Sequence, residues 1–317
     1  MNSIRSLVKV GNSLYISLPK NWIKSTGLDR GSKVELVIRE DNVLEIIPIL
    51  RRVSLPKRTS IVYDRMFKHR LMASYLAGYE VIEVKVLDGV SPKIIEKIND
   101  MLRLLVGVEI VEESEESIVL QCFTRDDYDI VQVLSMMDRI TRSMYTSALK
   151  CLFDRDIKGL ESIIERDDRV DRLYFLSVRL IRSLIRNPMV PSERKVYLMD
   201  MRLLARDLEE IGDLSEEIAR RAITILKRGQ ASIPSKDILN ISLETATLQS
   251  EVMTALLKSS KLKADIFESL ESLKHRVRAY IKKLSVTHNL SMFSEIAYLM
   301  EDIINRVEDI SDLILWF

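Results

Sequence analysis

The sequence predicts a multidomain, mostly α-helical chain in which a small β-rich N-terminal unit and a short α/β module precede a long helical region. Three observations carry this expectation. From residue 125 to the end, apolar side chains recur with the 3.6-residue period of amphipathic helices. Within that region, residues 205–219, ARDLEEIGDLSEEIA, overlay residues 300–314, MEDIINRVEDISDLI, when Val307 is set on Ile211 and Asp309 on Asp213, so the helical part is duplicated. The first fifty residues instead carry short alternating runs broken by turn residues.

With 317 residues, 47% of them hydrophobic, the chain can build two or three domains with buried cores. It holds no run of eighteen apolar residues, and residues 1–10 lack an apolar block behind a basic start. Membrane insertion and secretion are therefore not expected, and the cytoplasm is. Cys122 and Cys151 stand far apart without metal-ligand spacing, which argues for packed thiols rather than a disulfide framework or structural zinc. The net charge of +1 conceals an asymmetry: residues 1–58 hold eleven Lys/Arg against five Asp/Glu, and the remainder holds 37 against 42. The basic excess at the front points to an anionic partner there.

Residues 4–10 and 14–18 read as two strands around Gly11-Asn12, Pro19 opens a short helix that Gly27 stops, and residues 33–39 and 43–47 form a hairpin around Asp41-Asn42. Such a unit is too small to bury its own apolar surface, so two copies sharing a core are expected. The stretch VGNSLYISLPKNWIKSTGLDRGSKVEL resembles the swapped-hairpin DNA-binding domain of the SpoVT/AbrB type, with its Leu-Pro-Lys followed by Gly-Leu-x-x-Gly-x-x-Val. The resemblance implies that this segment is half of a dimeric β barrel over about residues 1–50, that its partner is double-stranded DNA, and that Arg5, Lys9, Lys20 and Lys24 face it. Those side chains suit phosphate contacts more than base readout.

Arg51, Arg52, Lys57 and Arg58 flank Pro56 in what reads as a basic connector. Residues 59–124 then follow a βαβαββ pattern whose first helix is expected from Asp64 to Ala77, a small module expected to act as a spacer or dimerisation unit; it has no phosphate-cradling glycine loop. His69 has no ligand-type neighbours and reads as structural. Beyond it, helices are expected over residues 127–155, 157–186 and 192–227, then over 236–261, 264–284 and 290–317. The division is two three-helix units, 125–230 and 232–317, with Met136, Met137, Met144 and Tyr145 as packing residues.

In the second helix Asp167 and Asp171 flank an apolar face centred on Val170, and in the third Glu209 and Asp213 lie one turn apart. Carboxylates at the border of a packed face repel one another in an interhelical groove unless a cation intervenes. Arg202, Arg206 and Arg220 share the outer stripe of the third helix with Glu209, Asp213 and Glu216, so a solvated ion-paired face is the alternative. Asp207 falls near the apolar stripe and fits a structural, hydrogen-bonded acid.

The stretches ERDDRVDRLY and LARDLEEIGDLSEEIA resemble the PhoU family of phosphate-uptake regulators, built from two three-helix repeats with Glu/Asp-x-x-x-Asp motifs. The resemblance implies that Asp167, Asp171, Glu209, Asp213 and, in the second repeat, Asp309 hold iron, zinc or other divalent or ferric ions. The second repeat departs from the pattern: Asn305 stands at the place of Glu209, and Lys274 and Arg278 at those of Asp167 and Asp171. A second site is thus expected to be reduced or absent, with Glu308 and Asp312 as possible substitutes.

Three functions compete on these residues. The first is a homodimeric transcriptional regulator of phosphate homeostasis, with DNA contact at the front and sensing of phosphate, metal or a partner behind. The second is an adaptor for a phosphate transporter or signalling kinase, its N-terminal module serving only to dimerise. The third is a metalloenzyme, which the sequence disfavours because none of His69, His275 and His288 stands three residues after a glutamate, as bundle di-iron oxidases need. An antitoxin role, known for some swapped-hairpin proteins, fits poorly with so large a helical partner domain.

Overall fold

The computed structural model describes residues 4–38, 43–49, 56–124, 128–187, 190–229, 236–258, 265–285 and 291–314. It divides into two compact units, Met1–Leu55 and Pro56–Phe317.

In the first unit, β1 (Val8–Val10) pairs antiparallel with β2 (Ser13–Tyr15). Only three residues pair where a longer strand is expected from residue 4, because β2 itself is three residues long. Pro19 leads into α1 (Lys20–Thr26), which ends at Gly27 with φ of 68°, a left-handed conformation that glycine adopts without a Cβ penalty. Then β3 (Val34–Ile38) pairs antiparallel with β4 (Leu44–Pro48). The Asp41-Asn42 turn lies outside the described residues, as do Arg51 and Arg52. No described residue of this unit is buried. Leu14 is 65% exposed and Ile38 77%, so the hairpins have formed without a core of their own.

The second unit begins with β5 (Arg58–Val62), α2 (Phe67–Leu76), β6 (Val81–Lys85), α3 (Pro92–Leu102), β7 (Val108–Glu113) and β8 (Ser117–Cys122). The sheet order is β5-β6-β8-β7, with β5 parallel to β6 and the other neighbours antiparallel. Alternate strand residues Ile82, Val84, Ile118 and Leu120 share one core with Leu71, Tyr75 and Ile98 of the helices, as period-two patterning requires. Two expectations change. Helix α2 starts at Phe67 rather than Asp64, whose carboxylate instead accepts from Met66 N at 2.8 Å and pairs with Arg70 at 2.9 Å. Arg58 opens β5 rather than lying in the connector, and the exposed Lys57 before it is tied to the module, its Nζ donating to Ala77 O at 2.9 Å.

Helices α4 (Ile130–Asp154), α5 (Ile157–Arg186), α6 (Ser192–Lys227), α7 (Asp237–Leu257), α8 (Asp265–Ser285) and α9 (Ser291–Asp312) follow. Asp129 and Asp156 cap α4 and α5 by accepting from Val131 N and Gly159 N. The 36-residue α6 is roughly 54 Å long at 1.5 Å per residue, enough to pack along α4 and α5 and also along α9. The two helical sets consequently share one core from Ile130 to Ile314. A buried polar bridge joins them: Gln249 Nε2 donates to Asp138 Oδ1 at 2.9 Å, and Tyr145 OH donates to Gln249 Oε1 at 3.1 Å.

Arg179 of α5, only 3% exposed, fixes the α/β module to the bundle. Its Nη1 donates to Tyr75 O at 2.6 Å and Tyr79 O at 3.1 Å, and its guanidinium lies 4.9 Å from the Tyr75 ring centre. The Tyr75 carbonyl also accepts from Gly78 N at 3.0 Å, so Arg179 adds a second donor there and supplies one to Tyr79 just beyond α2.

Candidate functional site

Helix α5 presents Asp167 and Asp171 on the flank of its apolar face, and α6 presents Asp213 opposite them. One carboxylate oxygen from each of the three lies within 4.8 Å of the other two. Among the described residues this is the set of potential metal-ligating groups that converges. Gly212 makes the approach possible, since a Cβ there would stand 3.1 Å from Asp167 Oδ1 and 3.1 Å from Val170 Cγ1.

The electrostatics follow from this crowding. Burial, then the charges of Asp171 and Asp213, push the Asp167 carboxyl up to about 7. Burial and Asp213 push Asp171 up to about 6, with Lys68 of α2 acting weakly in the opposite direction. Glu209 rises to about 7 for the same reasons, partly opposed by its Arg206 partner, and burial followed by Glu210 raises Asp213. Asp167 Oδ1 is buried without a hydrogen-bond partner. An orphaned oxygen beside two further carboxylates is the arrangement a hard cation satisfies, so the donor set fits a metal ion with oxygen preference.

The other expected ligands lie elsewhere or are differently engaged. Glu209 pairs with Arg206. Asp309 is exposed and pairs with Arg306 at 2.7 Å, and the same arginine lies 3.6 Å from Asp207. Asp207 is thus half-buried and ion-paired rather than a core acid. Glu216, read from sequence only as part of a solvated stripe, adds its charge to both Asp167 and Asp171; its position three residues after Asp213 is the signal that places it near them.

The second repeat replaces the acidic cluster with ion pairs. Lys274, 8% exposed, donates to both oxygens of Glu308 at 3.0 Å and meets Glu271 at 2.8 Å, while Arg278 pairs with Glu301. In the repeat register Lys274 stands at the place of Asp167 and Glu308 at that of Gly212. A close contact between a small residue and an acid in one repeat is a salt bridge in the other.

In the N-terminal unit Arg5, Lys9, Lys20 and Lys24 are all exposed. Lys9 lies in β1 and Lys20 and Lys24 in α1. None of the four has an ion-pair partner among the described residues.

Comparison with known proteins finds similarity in both parts of the chain. The PhoU domain family matches residues 134–222, which span α4 to α6, and the family described as antidote-toxin recognition MazE, bacterial antitoxin, matches residues 7–54. A curated relative, the phosphate-specific transport system accessory protein PhoU homolog of Pseudomonas aeruginosa, is 23% identical over 185 residues, covering 58% of this chain and 72% of its own. The crystal structure of PhoU from Pseudomonas aeruginosa superposes with a TM-score of 0.52 at 18% identity, covering 59% of this chain and 94% of that one, which is a likeness of fold. The chain therefore carries a PhoU domain of three-helix architecture behind an N-terminal domain of the MazE/AbrB type.

Proposed function

We propose that this protein is a homodimeric DNA-binding regulator of phosphate uptake, whose helical part senses phosphate status, a metal ion or a partner protein. The observation that carries the reading is the combination found in the first unit: no described residue is buried, Val10, Leu14, Leu36 and Ile38 are exposed, and four basic side chains stand free of ion pairs among the described residues. A second copy supplies the missing apolar core, and pairing doubles the basic surface. The MazE/AbrB likeness supports the same assembly.

In the helical part, Asp167, Asp171 and Asp213 would hold the ion, with Glu209 and Glu216 adding negative potential around it. An all-carboxylate set suits iron, manganese, magnesium or calcium better than zinc, which favours nitrogen and sulfur ligands. Held there, an ion would supply the positive charge that the facing carboxylates of α5 and α6 need. Regulation then requires only that the ligand bind one helical arrangement better than another. Duplex affinity measured with metal, with chelator and with phosphate tests that coupling. Equal affinity in all three conditions rejects it.

A second reading has its own support. The relative named above is an accessory protein of a phosphate-specific transport system, so this chain would act as an adaptor to a transporter or sensor kinase and use its first unit for pairing alone. Absence of duplex binding together with a stable dimer selects this reading.

A further inference from the structure

We propose that a groove between α4 and α5, on the side of α5 away from the acidic cluster, is a binding site for a small phosphate-type oxyanion. Met136, Arg139, Ile140 and Ser143 of α4 and Arg166 and Arg169 of α5 line this groove of about 440 Å³. It places three guanidinium groups around one opening. Among the described residues none of the three has a carboxylate within ion-pair distance, although Glu165 precedes Arg169 by one helical turn. The neighbouring Arg142 is committed elsewhere, bonded through Nε and Nη2 to Asp138.

Guanidinium groups remain charged at physiological pH, so gathering three raises a positive potential that a bound anion relieves. Arg166 is half-buried, and its Nη1 donates to Ser143 Oγ at 3.3 Å, which restrains it across the helix pair. Met136 and Ile140 line the same opening with apolar surface, which weakens the competition from water. A tetrahedral, multiply charged oxyanion offers more acceptor oxygens and more charge to the forked donors of several arginines than a single carboxylate does. Val170 at the centre of the apolar face separates Arg166 and Arg169 on one flank of α5 from Asp167 and Asp171 on the other, so one helix borders a cation-type and an anion-type site. The inference deepens the reading above by naming the chemistry that the helical part senses; it rests on that reading only for the link to DNA.

The test is calorimetric titration of the full-length protein, in metal-free buffer at constant ionic strength, with orthophosphate, pyrophosphate and sulfate. Saturable binding of orthophosphate or pyrophosphate is expected, weakened at least about tenfold in Arg139→Gln and in Arg166→Gln, as loss of charge-assisted hydrogen bonds implies. Arg166→Lys should recover part of the loss, and Asp213→Asn, at the acidic cluster, should keep the site. Preference between the two phosphates identifies the ligand's size, and equal binding of sulfate reduces the site to nonspecific anion attraction and overturns the proposal. No saturable binding, or binding unchanged in both arginine variants with circular dichroism intact, overturns it as well. Phosphate binding without duplex binding would instead remove the DNA reading and leave this site standing.

Discussion

Gly212 on α6 lies directly against Asp167 on α5, so close that a Cβ at Gly212 would stand 3.1 Å from the carboxylate oxygen Oδ1. The lack of a side chain at one position thus sets the burial of an acid at another, and that burial is the first cause of the raised Asp167 carboxyl.

Gly212→Ala separates local propensity from packing. Alanine gains about 1 kcal/mol of helix propensity over glycine, and overpacking costs about 1–3 kcal/mol. The expected result is a net loss of up to about 2 kcal/mol in urea unfolding, with weaker metal binding. A stabilised variant with unchanged metal affinity contradicts the close packing.

The acidic cluster sets a pH dependence in the metal-free protein. Asp167 rises to about 7 and Asp171 to about 6 in the folded state, above the ordinary value near 4 of an unfolded chain. The folded protein therefore holds more protons than the unfolded one across this window. Stability is fully present below about pH 4 as far as these groups are concerned, and it falls as pH rises through 6 and 7. The thermal midpoint in chelator should drop between pH 5 and pH 8, and less so in Asp167→Asn.

A metal ion held by the cluster should reverse this loss. An ion binding only the folded state adds about 2.7 kcal/mol at a hundred times its dissociation constant. A carboxylate-preferring divalent ion at pH 7.5 is expected to raise the midpoint of the wild type and to have little effect on Asp171→Asn or Asp213→Asn. Equal shifts in all three proteins would locate binding elsewhere.

How much of this was readable beforehand differs from element to element. Asp167 and Asp171 were legible because a one-turn spacing on the border of an apolar face fixes their side of the helix, and the same held for Asp213. The βαβαββ order and the nearly continuous helices were legible because period two and period 3.6 are local properties of the chain. The contact of Gly212 with Asp167, the Lys274–Glu308 pair that occupies the corresponding place in the second repeat, and the joining of both repeats through α6 and α9 depend on which helix faces which. Such pairings leave no periodic trace. The groove at Arg139, Arg166 and Arg169 was hidden for the same reason, since its members come from two helices.

Arg179 tests the attachment of the α/β module. It is buried and donates to the carbonyls of Tyr75 in the last turn of α2 and of Tyr79 just after it. Arg179→Met keeps the stem and removes the donors, leaving Tyr75 O only its bond from Gly78 N, so a loss of about 2 kcal/mol is expected. Hydrogen exchange should quicken in α2 more than in α8. A change within about 0.5 kcal/mol would contradict the role given to this side chain.

The central claim is that the paired N-terminal units grip DNA through Arg5, Lys9, Lys20 and Lys24, and a salt titration of duplex binding examines it most directly. If each of the four neutralised one phosphate in both protomers, log affinity would fall with log salt at a slope of about −7 at most. The account predicts a steep slope, at least about −3, that becomes shallower by about 2 when Lys9→Gln is present in both copies. Duplex affinity that is undetectable at low salt, or a slope the lysine variant leaves unchanged, would contradict it.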